Sequence, residues 1–328
     1  MHNDSSIPHY QKVIDFIINS AHEGNLSVGE KLPSLNSIAK TFQISRDTAL
    51  AAYKIMKSKG IIKSVPGKGY FLSSLDFNQN LNVFILFDEF NSFKEDLYSS
   101  IIDNLGENAT TDIYFHHFNI TTFSQLINNS VGNYSHYIIM PCQFESVHKI
   151  LSVLPTQRTY ILDQSNTILN SIYSSVYQNF EEDIYNGLTS AKSLLNKYQK
   201  LCMIYPGGKE PKGQLNGFIK FCTDYDFPYV IFSSFNDTIM NKGNLYITPN
   251  DRYLIELVKF AKKHQWELGK DMGIISYNDT LLKEVVADGI TTISTDFIEM
   301  GHNITKIIKE NIKTNIHNPS SLIIRKSI

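Results

Sequence analysis

Tyr10, Val13, Ile14, Ile17 and Ile18 recur at helical spacing, which predicts a helix from Pro8 to Ala21. Gly24 and Gly29 interrupt the pattern. A second helix is expected after Pro33-Ser34, with Ser34 as its N-cap and Leu35, Ile38, Ala39 and Phe42 as its apolar stripe. Gln43-Ile44 reads as a tight turn. Ser45 then caps a third helix that runs through Ser58 and stops at Gly60. Its Ala49, Ala52, Tyr53 and Met56 share one face, and Arg46, Asp47, Leu50, Lys54 and Lys57 lie outward. Two short apolar runs, Ile61–Val65 and Tyr70–Leu72, flank the turn Pro66-Gly67-Lys68-Gly69 and predict a two-stranded wing. Helices joined by a tight turn and followed by a wing form a winged helix-turn-helix, whose second helix enters the major groove by its first residues.

After a polar stretch at residues 73–80, read as a linker, the pattern changes to apolar strands alternating with amphipathic helices. Strands are expected at 81–87, 111–115, 137–140, 159–162, 201–205, 229–232, 244–248, 273–276 and 322–324. Helices are expected at 94–105, 123–129, 145–154, 181–197, 214–224, 251–263, 281–287 and 297–313. This α/β alternation predicts parallel sheets with helices on both faces. About 250 residues suits two lobes better than one sheet. The expected domains are therefore 1–72, a linker at 73–80, and a body at 81–328.

Charge divides the chain in the same way. Residues 31–72 carry eight basic side chains and one acid, Asp47, a balance of +7 within a chain of net charge −2. A basic segment on an acidic body points to one part that meets a polyanion and another that does not. No apolar run is long enough to span a membrane. The N-terminal residues lack the basic and apolar regions of a signal peptide. Cys142, Cys202 and Cys222 have no metal-type spacing, and so sparse a set fits the reducing cytoplasm. His116-His117 has no further ligand spaced to complete a metal site, and it is read as surface.

Four motifs carry a family resemblance in the first domain. Gly29-Glu30-Lys31-Leu32-Pro33-Ser34, Ile44-Ser45-Arg46-Asp47-Thr48, Lys59-Gly60-Ile61-Ile62 and Gly67-Lys68-Gly69-Tyr70-Phe71 together resemble the winged helix of GntR regulators. The resemblance implies operator DNA contacts from Ser34, Asn36, Ser45, Arg46, Asp47, Thr48, Gly67 and Lys68. Many relatives have arginine at Asn36 and at Leu50. Fewer arginines mean fewer bidentate guanine contacts, so a relative's operator does not transfer.

The body resembles the effector domain of LacI/GalR regulators, which shares its fold with periplasmic sugar-binding proteins. The segments 87–93, 137–141, 160–163, 176–179, 214–218, 248–251, 275–279, 291–293, 300–301 and 322–327 carry this likeness in order. It implies a cleft at the strand ends that binds a small effector. The implied ligand residues are Phe93 for stacking, and Asp163, Gln178, Asn250 and Asn278 for hydroxyl groups. Glu89 and Asp296 are further candidates. The family's ligand-binding arginine is Gln214 here, and Lys212 and Lys209 stand nearby as replacements. The span 223–243 lacks the usual helix between two strands. The resemblance further implies a homodimer through the body, a monosaccharide or its derivative as effector, and repression as the sign of control.

A non-sugar metabolite is the competing effector; opposite charges clustered at the site would favour it. An enzyme body is the other-class alternative. The chain shows no G-x-S-x-G, no phosphate-binding Walker motif and no G-x-G-x-x-G after a strand, and no cofactor is called for.

Overall fold

The computed structural model describes residues 9–74, 81–107, 109–141, 146–164 and 166–328. Residues 75–80 of the expected linker, Cys142 and Glu145 therefore lie outside the described residues, as does the side chain of His22.

The first domain contains α1 (His9–His22), α2 (Leu35–Phe42), α3 (Arg46–Ser58) and the hairpin β1 (Ile62–Val65) and β2 (Gly69–Leu72). Ser34 Oγ accepts from Ser37 N at 3.2 Å, and Ser45 Oγ accepts from Thr48 N at 3.1 Å, so each serine starts its helix. Between them Gln43 takes a left-handed φ of 53°, which lets the chain reverse in one turn. Val13, Ile17, Ile38, Ala49, Tyr53 and Met56 are fully buried together. Tyr53 OH donates to the Pro33 carbonyl at 2.7 Å and fixes α3 against the start of α2.

The body has two parallel sheets. The first lobe uses β3 (Leu81–Phe87), α4 (Ser92–Leu105), β4 (Ala109–Phe115), α5 (Ile120–Ser130), β5 (His136–Ile139), α6 (Val147–Leu151), β6 (Thr159–Asp163), α7 (Thr167–Ile172) and β7 (Ser174–Tyr177). The second uses α8 (Phe180–Leu195), β8 (Lys200–Ile204), α9 (Lys212–Asp224), β9 (Tyr229–Phe232), β10 (Asn244–Thr248), α10 (Asp251–Lys263), β11 (Gly273–Tyr277), α11 (Leu281–Val285) and β12 (Thr291–Thr295). The chain then returns to the first lobe with α12 (Phe297–Glu310) and β13 (Asn315–His317), and ends in the second with β14 (Ser320–Ile323). The sheet orders are β13-β7-β6-β5-β3-β4 and β14-β12-β11-β10-β8-β9. All pairings are parallel except β12 with β14. Three short segments, at 178–179, at 296 and at 318–319, connect the lobes.

Strand order reverses beside β3 and beside β8, and crevices open at such switch points. The α8–α9 pair sets the second lobe's side of the crevice. Gly217 lets these helices touch: a Cβ there would lie 2.3 Å from the Glu181 carbonyl oxygen. That approach holds Gln214, one turn earlier, against the crevice.

β7, β12, β13 and α7 go beyond the sequence reading. β7 begins Ser-Ser, and β12 is Thr-Thr-Ile-Ser-Thr, yet all of β12 is buried. Its hydroxyls are satisfied internally; Thr292 Oγ1 donates to Asp279 at 2.9 Å and Thr291 Oγ1 to the Arg325 carbonyl at 3.1 Å. A hydropathy pattern does not register such a strand. As the sequence suggests, β9 and β10 are joined only by a 3-10 turn, Asp237–Ile239.

Candidate functional site

One candidate surface lies on the first domain. Ser34, Asn36, Ser45, Arg46, Asp47, Gly67 and Lys68 are exposed there, and Thr48 is half-buried with its hydroxyl 2.9 Å from Ser45 Oγ. They sit at the starts of α2 and α3 and on the hairpin turn, where a groove-binding helix presents its first residues. The other half of α3 faces the body. Lys57 Nζ donates to Asn133 Oδ1 at 3.0 Å, and the Lys54 side chain lies beside Gly132. Lys57, an outward residue in the sequence reading, is thus held by the first lobe.

The second candidate site is a cavity of 670 Å³ between the lobes, at the carboxyl ends of both sheets. Glu89, Phe93, Asp163, Gln178, Gln214, Asn250 and Asn278 are all on its wall. Two of the nine candidates are not. Lys212 opens α9 with an exposed side chain, because the Gly217 contact turns Gln214 inward and Lys212, two residues before it, to solvent. Asp296 is exposed and caps α12, accepting from Glu299 N at 2.9 Å.

Asp163 ends β6 in the left-handed region, φ 71°, and Asn278 follows β11 at φ 59°. Non-glycine residues held there store strain, and such positions cluster at binding sites. Gln178 Nε2 donates to Asp163 Oδ1, and Gln178 Oε1 accepts from Tyr277 OH at 2.9 Å. This chain of bonds crosses from the first lobe, through the connecting segment, to the second. Burial pushes the Asp163 carboxyl up to about 6, against the pull of nearby Lys94. Burial also pushes Tyr277 well above its ordinary range. Lys283 Nζ donates to the carbonyls of Tyr277 at 2.9 Å and Asn278 at 2.8 Å and meets Asp251 at 2.8 Å, so a buried lysine positions this strand end. Phe93 is half-buried and stacks on Phe297 with centroids 4.8 Å apart, so one ring face is already used.

Charge is more abundant on the wall than the sequence reading expected. Asp88 pairs with Lys94, both buried. Lys209 reaches across to Glu89 at 2.7 Å, and Glu210 accepts from Asn250 Nδ2 at 2.9 Å. Asp251, Arg252, Tyr277 and Phe118 complete residues the sequence reading had not nominated. Lys209, named there only as a substitute beside Lys212, is the lysine that reaches the cleft. The one available signal was position: each of these lies at a strand end or within a few residues beyond one.

His116 corrects another reading. It is fully buried at the end of β4, with Nε2 3.1 Å from the Met140 carbonyl, and burial lowers its pKa. Cys202 and Cys222 are buried thiols, pushed up to about 12 by burial. Among the described residues no helix is long and apolar enough to cross a membrane.

Comparison with known proteins agrees with this division. Residues 9–72 match the family described as bacterial regulatory proteins, gntR family. The uncharacterized HTH-type transcriptional regulator YdfD of Bacillus subtilis is 33% identical over 63 residues, which is 19% of this chain and 13% of that one. The NTD biosynthesis operon regulator NtdR of the same species is 25% identical over 174 residues, 46% of this chain and 52% of that one. The chain's match thus spans about half the length of NtdR and a smaller share of YdfD. The body superposes on a dimeric lac repressor with an 11-residue C-terminal deletion at a TM-score of 0.64 and 16% identity, covering 75% of this chain and 98% of that one. Residues 9–72 are therefore a winged helix-turn-helix domain of the gntR family, joined to a body with the fold of the lac repressor's effector domain.

Proposed function

We propose that this chain is a sequence-specific DNA-binding transcription regulator, a repressor, whose operator affinity is set by a small effector bound between the lobes: a hydroxylated sugar or sugar derivative, or, as the opposite charges clustered on the wall favour, a charged non-sugar metabolite. One observation carries the reading: a cavity walled by polar side chains from both lobes, in a chain whose other domain presents an exposed helix start and wing. Asp163, Gln178 and Asn278 supply the planar acceptors and donors that hydroxyl groups use. Phe93 supplies an apolar face. A ligand that touches both lobes favours their closure by its differential affinity for the closed arrangement. The Lys57–Asn133 contact ties α3 to the first lobe, so a change in lobe geometry moves the DNA-reading helix.

The test is linkage. A metabolite panel screened by thermal shift identifies a ligand that stabilises the native state. Its affinity is then measured by calorimetry with and without operator DNA. The two values should differ by the same factor as the operator affinities measured with and without ligand. Asp163→Ala and Asn278→Ala should lose this response and keep DNA binding. Equal ligand affinities in both titrations would uncouple the sites and end the proposed switch.

The regulator works as a homodimer in this reading. A single winged helix makes few contacts, and two of them on a palindrome gain both affinity and spacing. The lac repressor of the same fold is dimeric. On α11, Leu281, Leu282 and Val285 are each more than 70% exposed, and Ile255 of α10 is exposed as well. Covering such apolar side chains is what a second copy offers. Sedimentation should show a dimer at micromolar concentration, and Leu281→Glu with Leu282→Glu should shift it to monomer. A dimer that survives both changes places the interface elsewhere.

A further inference from the structure

We infer that the effector carries a protonated amine beside its hydroxyl groups. The inference rests on the reading of the inter-lobe cavity as the effector site and narrows the ligand's class. Asp88, Lys94 and Asp163 reach the cavity from the first lobe and are 3%, 4% and 5% exposed. Two buried carboxylates therefore share one buried ammonium, and that ammonium is bonded to Asp88. A buried carboxylate without a counter-charge is unfavourable, so the floor of the cavity lacks one positive charge. Further out, Glu89 is paired with Lys209 and Asp251 with Lys283, and Glu210, which has only the Asn250 amide, is part-exposed. Asp163 has only the neutral Gln178 amide as hydrogen-bond donor among the described residues.

A second observation is independent of charge. Gln214, 3% exposed, lines the cavity with Oε1 unpartnered, and the buried Asn278 Oδ1 is also unpartnered, among the described residues. Both atoms are acceptors. The cavity therefore asks for donors opposite Gln214 and Asn278, and for a positive charge opposite Asp163. A neutral polyol meets the first demand only. An ammonium group brings three N–H donors and the missing charge together. The rings of Phe93, Phe118 and Phe180 on the same wall tolerate a cation.

Asp163 faces Lys94 and Asp88 from its own lobe, Gln178 from the connecting segment and Tyr277 from the second lobe. Its carboxyl is held up at about 6, so it is mainly ionised at pH 7 and mainly neutral at pH 5. The preference for a cation should therefore be present at pH 7 and fade as the pH falls below about 6.

The experiment uses two matched pairs of probes on the full chain in phosphate buffer. The first pair is Tris, an ammonium with three hydroxymethyl arms, against neutral pentaerythritol. The second is D-glucosamine against D-glucose. Thermal shift and calorimetry at pH 7 should show the amine of each pair binding at least about tenfold tighter. The advantage should shrink at pH 5, where both amines stay protonated and only the protein changes. Asp163→Asn should remove it at pH 7. Neutral probes that bind as tightly as the amines would overturn the inference and leave the effector cleft standing. No binding by any of the four would remove both.

Discussion

Replacing Lys94 with methionine should destabilise the body by about 3–5 kcal/mol at pH 7.5, the usual effect of removing one partner from a buried ion pair. Lys94 is the only buried cation among the described residues on the cavity wall, and it serves two buried acids. Methionine keeps most of the volume and loses the charge. The penalty should have a definite pH dependence. The folded-state pKa of Asp163 is already raised, to about 6, above its unfolded value. A carboxyl raised in this way adds stability below its unfolded pKa, and that stability is lost as pH rises through the folded pKa. Removing Lys94 pushes the carboxyl further up, so the variant should be most impaired at neutral pH and recover towards pH 5. Urea unfolding at pH 7.5 and pH 5 measures this. Lys209→Met is the control: its partner Glu89 is part-exposed, so the change should fall within about 1 kcal/mol. If Lys94→Met unfolds at the wild-type midpoint at pH 7.5, the buried pair is not what holds the cavity floor.

Arg46→Ala should weaken binding to a selected operator by about 1–3 kcal/mol, roughly tenfold to more than a hundredfold, and relax base preference. Arg46 is the first residue of α3, exposed, at the helix end proposed to enter the groove. No carboxylate pairs with it among the described residues, so its guanidinium is available to a base edge or phosphate. Lys68→Ala on the wing should act differently, weakening all sequences alike and reducing the salt slope by about one. Fluorescence titration of operator and scrambled duplex at two salt concentrations separates the two patterns. An Arg46→Ala protein that folds normally and binds operator like wild type would rule out the docking of α3 in the groove.

What the sequence determined by itself is what depends on neighbours in the chain. Ser34, Gln43, Ser45 and Gly60 punctuate the first domain, and caps and left-handed turns act within four residues. The winged helix was legible for that reason, as was the alternation of strand and helix that makes two lobes. Asp163, Gln178 and Asn278 are singled out for the cleft by the resemblance to LacI/GalR effector domains, and Asp163 and Asn278 also stand by expected strand ends, where parallel sheets place their ligands. Tertiary structure decided the rest. β7 and β12 are strands because surrounding loops, turns and side chains satisfy their hydroxyls, and no run of apolar residues announces them. His116 is interior because the Met140 carbonyl, 24 residues on, accepts or meets its ring nitrogen. Gln214 faces the cleft while Lys212 does not, because a glycine contact between α8 and α9 sets the rotation of α9. The pairing of Lys57 with Asn133 joins residues 76 apart. The sharing of Lys94 by two acids joins strand ends from different parts of a sheet. Charge is summed through space, and only the folded chain brings Asp88, Lys94 and Asp163 close enough for one lysine to be too few.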